Sequence, residues 1–516
     1  MNRKIGLVFS YGVMITEILS AMFVTPFIIR SLGQAEYGIY QLTSSITAYL
    51  IIFDLGVGNS VIRYMAKFRA NNDRESQRKF LGVTTVYYAA VTLVILIVGV
   101  LLITVFPNVF SKGLTSSEIV KAKELLSITI VTSAISIGTS AFSNTLVAYE
   151  RFTAHKGIMI LANIAKMAVL VFLMKMGVKS VGVVTVNLVA TAATRLFYIC
   201  YVFFKLKLYP SFKKIDASFV KGVFSYSTFV LIQLIAQQLN SMSDQIILGI
   251  FAPSAAILIG IYGVGSQIVQ YYKTIGSQFN SVLMAGTVRM IEGGADSKTV
   301  QNEMVRIGRV IFMVLGMIYC VFAVFGRDFV ALWAGKDNID GYFVALIIMF
   351  PWLISTPQGI GNQILWAINR HKTLAIIQIC SSVFNIIVTI FLIKWKPLVG
   401  SSLGTALALI IGDVVLMDIV LRKEVGIRFG EYYRDLFKGT LPALMITFAF
   451  GAAFSLLHLN RYGWVGLIIN CVITAAVYAA LMATFFMNSY EKGLLKGLFN
   501  KIIGKLGRKK AYYKGR

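Results

Sequence analysis

Acidic residues are scarce in this chain, and so are cysteine and histidine. Asp and Glu number 22 against 49 Lys and Arg, and only 14% of residues are charged at all. So few charges exclude an ordinary soluble domain, whose charged fraction is about a quarter. The four cysteines, Cys200, Cys320, Cys380 and Cys471, stand singly in apolar stretches. That spacing excludes a disulfide framework and suits small buried side chains. The histidines, His155, His371 and His458, are isolated near the ends of apolar segments, with His155 and His371 read as loop residues. There is no His/Cys/Asp/Glu cluster at metal-ligand spacing and no phosphate-binding glycine loop, so no enzyme is expected. Long polar loops are missing too, since no connection between apolar segments exceeds about twenty residues and none has room for a soluble catalytic domain. Any chemistry must lie within the apolar segments.

What remains is 57% hydrophobic, with mean hydropathy +0.76, which points to a polytopic membrane protein. Crossing about 30 Å of hydrocarbon takes roughly 20 residues, and at that length the sequence reads as about fourteen spans. The first six fall near 6–30, 38–62, 81–106, 123–148, 157–177 and 180–204. The next six fall near 220–250, 255–288, 306–332, 342–367, 373–394 and 398–421, with two more near 440–458 and 462–487. The expected fold is therefore all-α. The first segment is not a cleavable signal, because its apolar run is too long and contains Glu17.

The formal charge of +27 does not indicate nucleic acid. Basic clusters recur in alternate loops, as at Arg63 to Lys79, Lys205 to Lys221 and Arg422 to Lys438. This alternation is a topology signal and places both termini in the cytoplasm. After residue 488 an apolar face of Leu494, Leu495, Leu498, Phe499, Ile502 and Ile503 is flanked by lysines. It is expected to lie on the anionic inner leaflet or to form a basic tail that only fixes topology. Gly38-Ile39-Tyr40 recurs as Gly260-Ile261-Tyr262, and Phe9-Ser10-Tyr11 as Phe224-Ser225-Tyr226. Six spans separate the copies, so the halves are expected to be parallel repeats. The expected organisation is 1–204 and 205–421 as two six-helix lobes, 422–487 as two further helices and 488–516 as the basic tail.

Charge inside spans is the strongest functional signal, because an unpaired Lys or Arg at the bilayer centre costs at least roughly 2.5–3.5 kcal/mol. Lys166, Arg195 and Lys273 lie inside apolar segments. Lys273 belongs to a polar face of the eighth span with Tyr262, Ser266, Gln270, Ser277 and Ser281, and Gln237 to a similar face of the seventh with Gln233 and Asp244. In the second span Tyr40, Thr43, Thr47 and Asp54 align. A cavity carrying Lys166, Arg195 and Lys273 suits a doubly anionic group. The opposing reading is that Glu17, Asp54, Asp244 and Asp413 neutralise these cations, and the same acids are candidates for proton or sodium coupling. Asp418 is read as the partner of Arg422. Pro26, Pro351 and Pro357 are expected to interrupt helices.

The stretch from Phe27 to Tyr40, with Arg30-Ser31-Leu32-Gly33-Gln34-Ala35-Glu36-Tyr37-Gly38, resembles the N-terminal signature of the polysaccharide transporters, as do Asp54-Leu55-Gly56-Val57-Gly58-Asn59 and Arg63-Tyr64. These are the O-antigen flippases of the multidrug/oligosaccharidyl-lipid/polysaccharide exporter superfamily. The resemblance implies two six-helix lobes facing across a central cavity lined by spans 1, 2, 7 and 8, with spans 13 and 14 forming a groove for a lipid tail. It implies an undecaprenyl-diphosphate-linked oligosaccharide as substrate, an O-antigen, capsule or related repeat unit, moved across the bacterial cytoplasmic membrane by alternating access. The lipid-linked substrate, the bilayer and the polysaccharide assembly machinery would be partners, and no cofactor is implied. The competing expectations are a drug or cation antiporter of the same superfamily, which needs acids to dominate the cavity, and a membrane-embedded polymerase or ligase, which needs a sizeable external loop.

Overall fold

A computed structural model describes residues 2–212, 217–368 and 370–493. The tail segment 494–516 and the basic residues Lys213 and Lys214 lie outside the described residues, as do the side chains of Ser10, Tyr11, Ser225, Tyr226, Gln233 and Ser281. Among the described residues the regular structure is entirely helical. The helices are α1 (Asn2–Leu19), α2 (Thr25–Ala48), α3 (Val57–Ala70), α4 (Arg74–Phe110), α5 (Ser116–Gly138) and α6 (Ser140–Ala148). Next come α7 (Phe152–Lys175), α8 (Ser180–Cys200), α9 (Ala217–Phe251), α10 (Ala255–Glu292), α11 (Ser297–Ala334), α12 (Gly341–Ser355) and α13 (Gly359–Ala367). The last are α14 (His371–Leu392), α15 (Pro397–Leu409), α16 (Met417–Val425), α17 (Phe429–Phe437), α18 (Thr440–Ser455) and α19 (Trp464–Leu481).

Nine stretches among the described residues are long and apolar enough to cross a membrane, or up to eleven if two bent helix pairs each count as one span. Helix α4 shows why such a helix needs lipid. Its face of Tyr88, Val91 and Ile95 is buried, whereas Leu93, Ile97, Val100 and Leu101 on the other face are about 60% exposed. A helix that is apolar all round has no water-facing side. The breaks follow from local chemistry. Gly33 takes φ 75° and ψ 172° inside α2, a conformation open to glycine, and there separates the first expected span from the second. Leu55 and Gly56 both adopt left-handed backbone, turning the chain from the 3-10 segment Tyr49–Asp54 into α3. Asp73 caps α4 by accepting from the Ser76 amide at 2.9 Å. Thr115 and Glu118 form a reciprocal capping box on α5.

The proline readings are refined by position. Pro26 sits in the first turn of α2, where a missing amide costs nothing, and the irregular backbone is the π-helical turn Ser20–Val24 before it. Pro351 lies inside α12, and Pro357 lies in the 3-10 segment Thr356–Gln358 that separates α12 from α13. Pro107, inside α4, had no part in the sequence reading. The basic stretch after Arg422 was read as a loop, yet it contains α17, bent 42° from α18. Its buried residues Tyr432 and Leu436 are one turn apart, and the short period was masked by the surrounding charges.

The chain divides into two compact units. The first comprises Met1–Gln267, Trp333–Val344 and His371–Ala408, and the second Ile268–Leu332, Ala345–Arg370 and Leu409–Arg516. The division cuts α10 after Gln267. In the first unit α4 packs on α5, α9 on α14, α5 on α8 and α1 on α7. In the second, α18 packs on α19 and α13 on α16.

The two Gly-Ile-Tyr copies meet within the first unit. A methyl group on Gly38 would lie 1.7 Å from the carbonyl oxygen of Ala256, and one on Gly260 would lie 2.4 Å from that of Gln34. Each glycine thus faces the carbonyl four residues before the other. This reciprocal contact lets α2 and α10 cross at backbone distance, which small residues permit.

Candidate functional site

Lys273 lies on α10 in the second unit. The preceding Tyr272 is 2% exposed and donates to the Leu315 carbonyl at 3.2 Å, pinning α10 to α11. Lys273 is left half-buried, with its Nζ 4.4 Å from the centroid of the Trp352 ring on α12. A cation over an indole face gains roughly 0.5–2 kcal/mol without losing its charge. Asp413, in the π-helical turn Ile410–Leu416, interacts with Lys273 electrostatically. Both the ring and the acid make the ammonium tolerable at depth. Gln270, one turn earlier, is exposed. The hydroxyls of Ser266 and Ser277 donate back to the carbonyls of Gly263 and Thr274 on their own helix.

The first unit holds the other expected cations. Arg195 on α8 donates from Nη2 to the Ser136 hydroxyl at 2.7 Å and has its guanidinium carbon 5.9 Å from the Tyr198 ring centroid. Tyr198 stacks at 5.0 Å on His155, which belongs to α7 and not to a loop. Arg195 is thereby held against α5 and α7 and keeps further donors for an anion. Lys166 on α7 interacts electrostatically with Glu17 on the adjoining α1. Glu17 itself is exposed. Gln237 on α9 is exposed as well.

Of the acids, Asp54 is committed locally. Its Oδ1 accepts from the Tyr88 hydroxyl at 2.7 Å and its Oδ2 from the Gly58 amide at 3.3 Å, so it closes the left-handed turn and tethers α3 to α4. Thr43 and Thr47, aligned with it in the sequence, are buried and donate to the Tyr40 and Thr43 carbonyls, each at 2.9 Å. They do not open onto a cavity. Serine and threonine can satisfy themselves on their own helix, so a polar stripe need not line water.

Asp244 on α9 is the most enclosed acid of the set, at 3% exposure. Tyr262 on α10 donates to its Oδ2 at 2.6 Å, Thr405 on α15 donates to the same oxygen, and Thr389 on α14 lies 3.4 Å from Oδ1. Thr389 and Thr405 also approach Asn385 Oδ1, at 3.0 and 3.5 Å. Each threonine has one hydroxyl proton and two acceptors before it. Among the described residues no Lys or Arg forms an ion pair with Asp244. The Asn385 amide nitrogen, buried and without a hydrogen-bond partner, shows that the cluster does not satisfy itself. A carboxylate enclosed among oxygens without a counter-cation is costly, and a proton or a small monovalent cation would lower that cost. The available signal was a polar period of four: Ser381, Asn385 and Thr389 mark one face of α14.

The expected pairing of Asp418 is not made, and Arg309 holds a buried pair of its own. Asp418 does not pair with Arg422, which is exposed; its Oδ2 accepts from Tyr433 on α17 at 2.9 Å. Arg309 on α11, only 6% exposed, binds Glu491 at 2.6 Å and the carbonyls of Asp435 and Lys438 at 2.8 and 2.7 Å. No group of three or more His, Cys, Asp or Glu converges among the described residues.

The fold has clear relatives among solved structures. One is the lipid II flippase MurJ in an inward closed conformation, with TM-score 0.70 and 15% identity, covering 93% of this chain and 99% of that one. A second is an inward-facing multidrug resistance MATE transporter of the MOP superfamily, with TM-score 0.66 and 13% identity, covering 78% and 96%. A third is a MOP superfamily transporter from Pyrococcus furiosus, with TM-score 0.53 and 14% identity, covering 81% and 92%. At such identities the likeness speaks for the fold. No curated protein matches the sequence. Residues 4–286, more than half of the chain, match the polysaccharide biosynthesis protein family. This multi-pass membrane protein, with the flippase and transporter fold, belongs to that family.

Proposed function

We propose that the protein moves an undecaprenyl-diphosphate-linked oligosaccharide, an O-antigen, capsule or related repeat unit, from the inner to the outer leaflet of a bacterial cytoplasmic membrane by alternating access. The observation that carries the reading is Lys273, a half-buried cation held over Trp352 on α10 of a polysaccharide biosynthesis protein. A diphosphate gives that cation a ligand, and in the first unit Arg195 and Lys166 are two further cations suited to an anionic group. Gln270 and Gln237 are exposed amides suited to sugar hydroxyls. Both termini are cytoplasmic on the charge pattern of the loops. The prenyl chain stays in lipid, and the polysaccharide assembly machinery takes the product.

Coupling is assigned to Asp244, with Asn385, Thr389 and Thr405 completing an oxygen-lined site for sodium or a proton. Glu17 and Asp413 balance Lys166 and Lys273. A second reading, export of a drug or other organic cation, draws support from the likeness to a MATE transporter and from that same enclosed carboxylate. Depletion of the protein in its host separates the two. Build-up of lipid-linked oligosaccharide on the cytoplasmic face is expected. Unchanged lipid intermediates together with increased drug sensitivity would replace the first reading by the second.

A further inference from the structure

A second enclosed acid, in the second unit, has no part in the transport reading above. Asp418 lies on α16, directly after the π-helical turn Ile410–Leu416. Tyr433 of α17 donates to its Oδ2 at 2.9 Å, and Gln358, from the 3-10 break between α12 and α13, donates from Nε2 to the Tyr433 hydroxyl. Gln358 is 2% exposed and also comes within hydrogen-bonding reach of Asp418. The cluster therefore ties together three helical segments at places where each has an irregular backbone nearby.

Its hydrogen bonds do not close. Asp418 Oδ1 and Gln358 Oε1 are both buried acceptors with no donor, and the Tyr432 hydroxyl beside them has no partner. An ionised carboxylate can only accept, whereas a protonated one also donates. A proton on Oδ1 turns that orphaned acceptor into a donor, in a cluster whose other unmatched groups, Gln358 Oε1 and the Tyr432 hydroxyl, can accept. Each such group otherwise bears the desolvation cost of an unmade hydrogen bond.

The charged neighbours do not supply an alternative. Facing Asp418 from α17 are Tyr433 and Tyr432, both neutral at ordinary pH, and from the α12–α13 break only the amide of Gln358. On its own helix Arg422 and Lys423 are exposed, and Glu424 is engaged by Arg370 at 2.8 Å. On α11, where Gly308 abuts the Tyr432 hydroxyl, the next residue Arg309 is committed to Glu491.

We infer that Asp418, with Tyr433 and Gln358, forms a proton-binding site distinct from the Asp244 cluster, carrying its proton on Oδ1. The site stands whether the cargo is a lipid-linked sugar or a drug, because the property claimed is occupancy by a proton. Protonation changes the bonds that join α16 to α17 and to the α12–α13 break, so the conformation of these segments becomes sensitive to pH.

Infrared difference spectroscopy of the purified full chain in lipid nanodiscs, recorded while pH is stepped, tests this. A carbonyl band of a protonated carboxylic acid should titrate in the wild type, vanish in Asp418→Asn, persist in Asp244→Asn and shift in frequency in Tyr433→Phe. Asn is nearly isosteric with Asp, and Tyr433→Phe keeps the carboxyl group, so a folding defect in one variant leaves the other informative. The same carboxylic acid band surviving in Asp418→Asn overturns the proposal. So does a carboxylate signal of Asp418 that responds to sodium chloride at fixed pH and not to pH.

Discussion

A lysine inside a membrane span persists when its surroundings accept the charge without cancelling its use. Lys273 meets both conditions, since Trp352 offers a π face and Asp413 an opposing charge while the side chain stays half-open. Hydrogen bonds to a charged group contribute about 1.5–3 kcal/mol, so Lys273→Ala should lower export of surface polysaccharide roughly tenfold or more. Lys273→Arg should recover part of it, with normal abundance in both, as read by surface polysaccharide and membrane immunoblot. Equal export by wild type and Lys273→Ala would remove Lys273 from the site. Asp244→Asn removes the charge from an already enclosed oxygen cluster. Its expected result is a stable protein whose transport no longer responds to a sodium or proton gradient, measured in vesicles with imposed gradients. Lys166, Arg195 and Lys273 stand out in the sequence because charge is rare in apolar runs. Their partners were not, since Trp352 and Ser136 lie far along the chain and neither residue type stands out in a membrane span. The Asp54 position shows the converse. Its spacing suggested coupling, whereas Tyr88 and the Gly58 amide occupy both of its oxygens.

At the level of elements, the all-helical, many-span character was legible because hydrophobic length is a bulk property, while the number of spans, the breaks and the bends were not. Gly33 announces its break, but the π-helical turns at Ser20–Val24, Tyr201–Lys205 and Ile410–Leu416 contain no proline. Helix crossings depend on single atoms. Gly38→Ala puts a methyl against the Ala256 carbonyl, and because backbone faces backbone, α2 and α10 must separate. Overpacking of this kind costs typically about 1–3 kcal/mol, so the apparent melting temperature of the detergent-purified variant should fall. Gly260→Ala should behave alike, and the double variant should lose less than the sum of the two, since one separation relieves both. An unchanged melting temperature in both single variants would mean that the crossing is not tight. The Arg309 contacts predict a larger effect. Arg309→Ala leaves Glu491 buried without its partner and strips two carbonyls near the α17–α18 bend of their donor. Breaking a buried pair on one side costs about 3–5 kcal/mol, and a thermal-shift measurement should show the loss.

For the whole molecule, apolar all-round helices, clustered loop cations and a chain-wide likeness to flippase and transporter structures describe one kind of machine. The composition excluded a soluble protein at once. The two Gly-Ile-Tyr copies touch reciprocally at the Gly38 and Gly260 crossing, a contact between α2 and α10 that the matching tripeptides did not foretell. The second acid cluster at Asp418 was not legible, because α17 is short, strongly charged outside and lies in what reads as a loop. The central claim is movement of a polyprenyl-diphosphate oligosaccharide between leaflets. It is tested most directly with purified protein in vesicles carrying that lipid, by following the fraction of sugar that a membrane-impermeant glycosidase can reach. Wild-type protein should renew the accessible pool after the outer leaflet has been digested, and Lys273→Ala should leave it exhausted at the level of protein-free vesicles. A wild-type protein that renews the pool no faster than empty vesicles would contradict it.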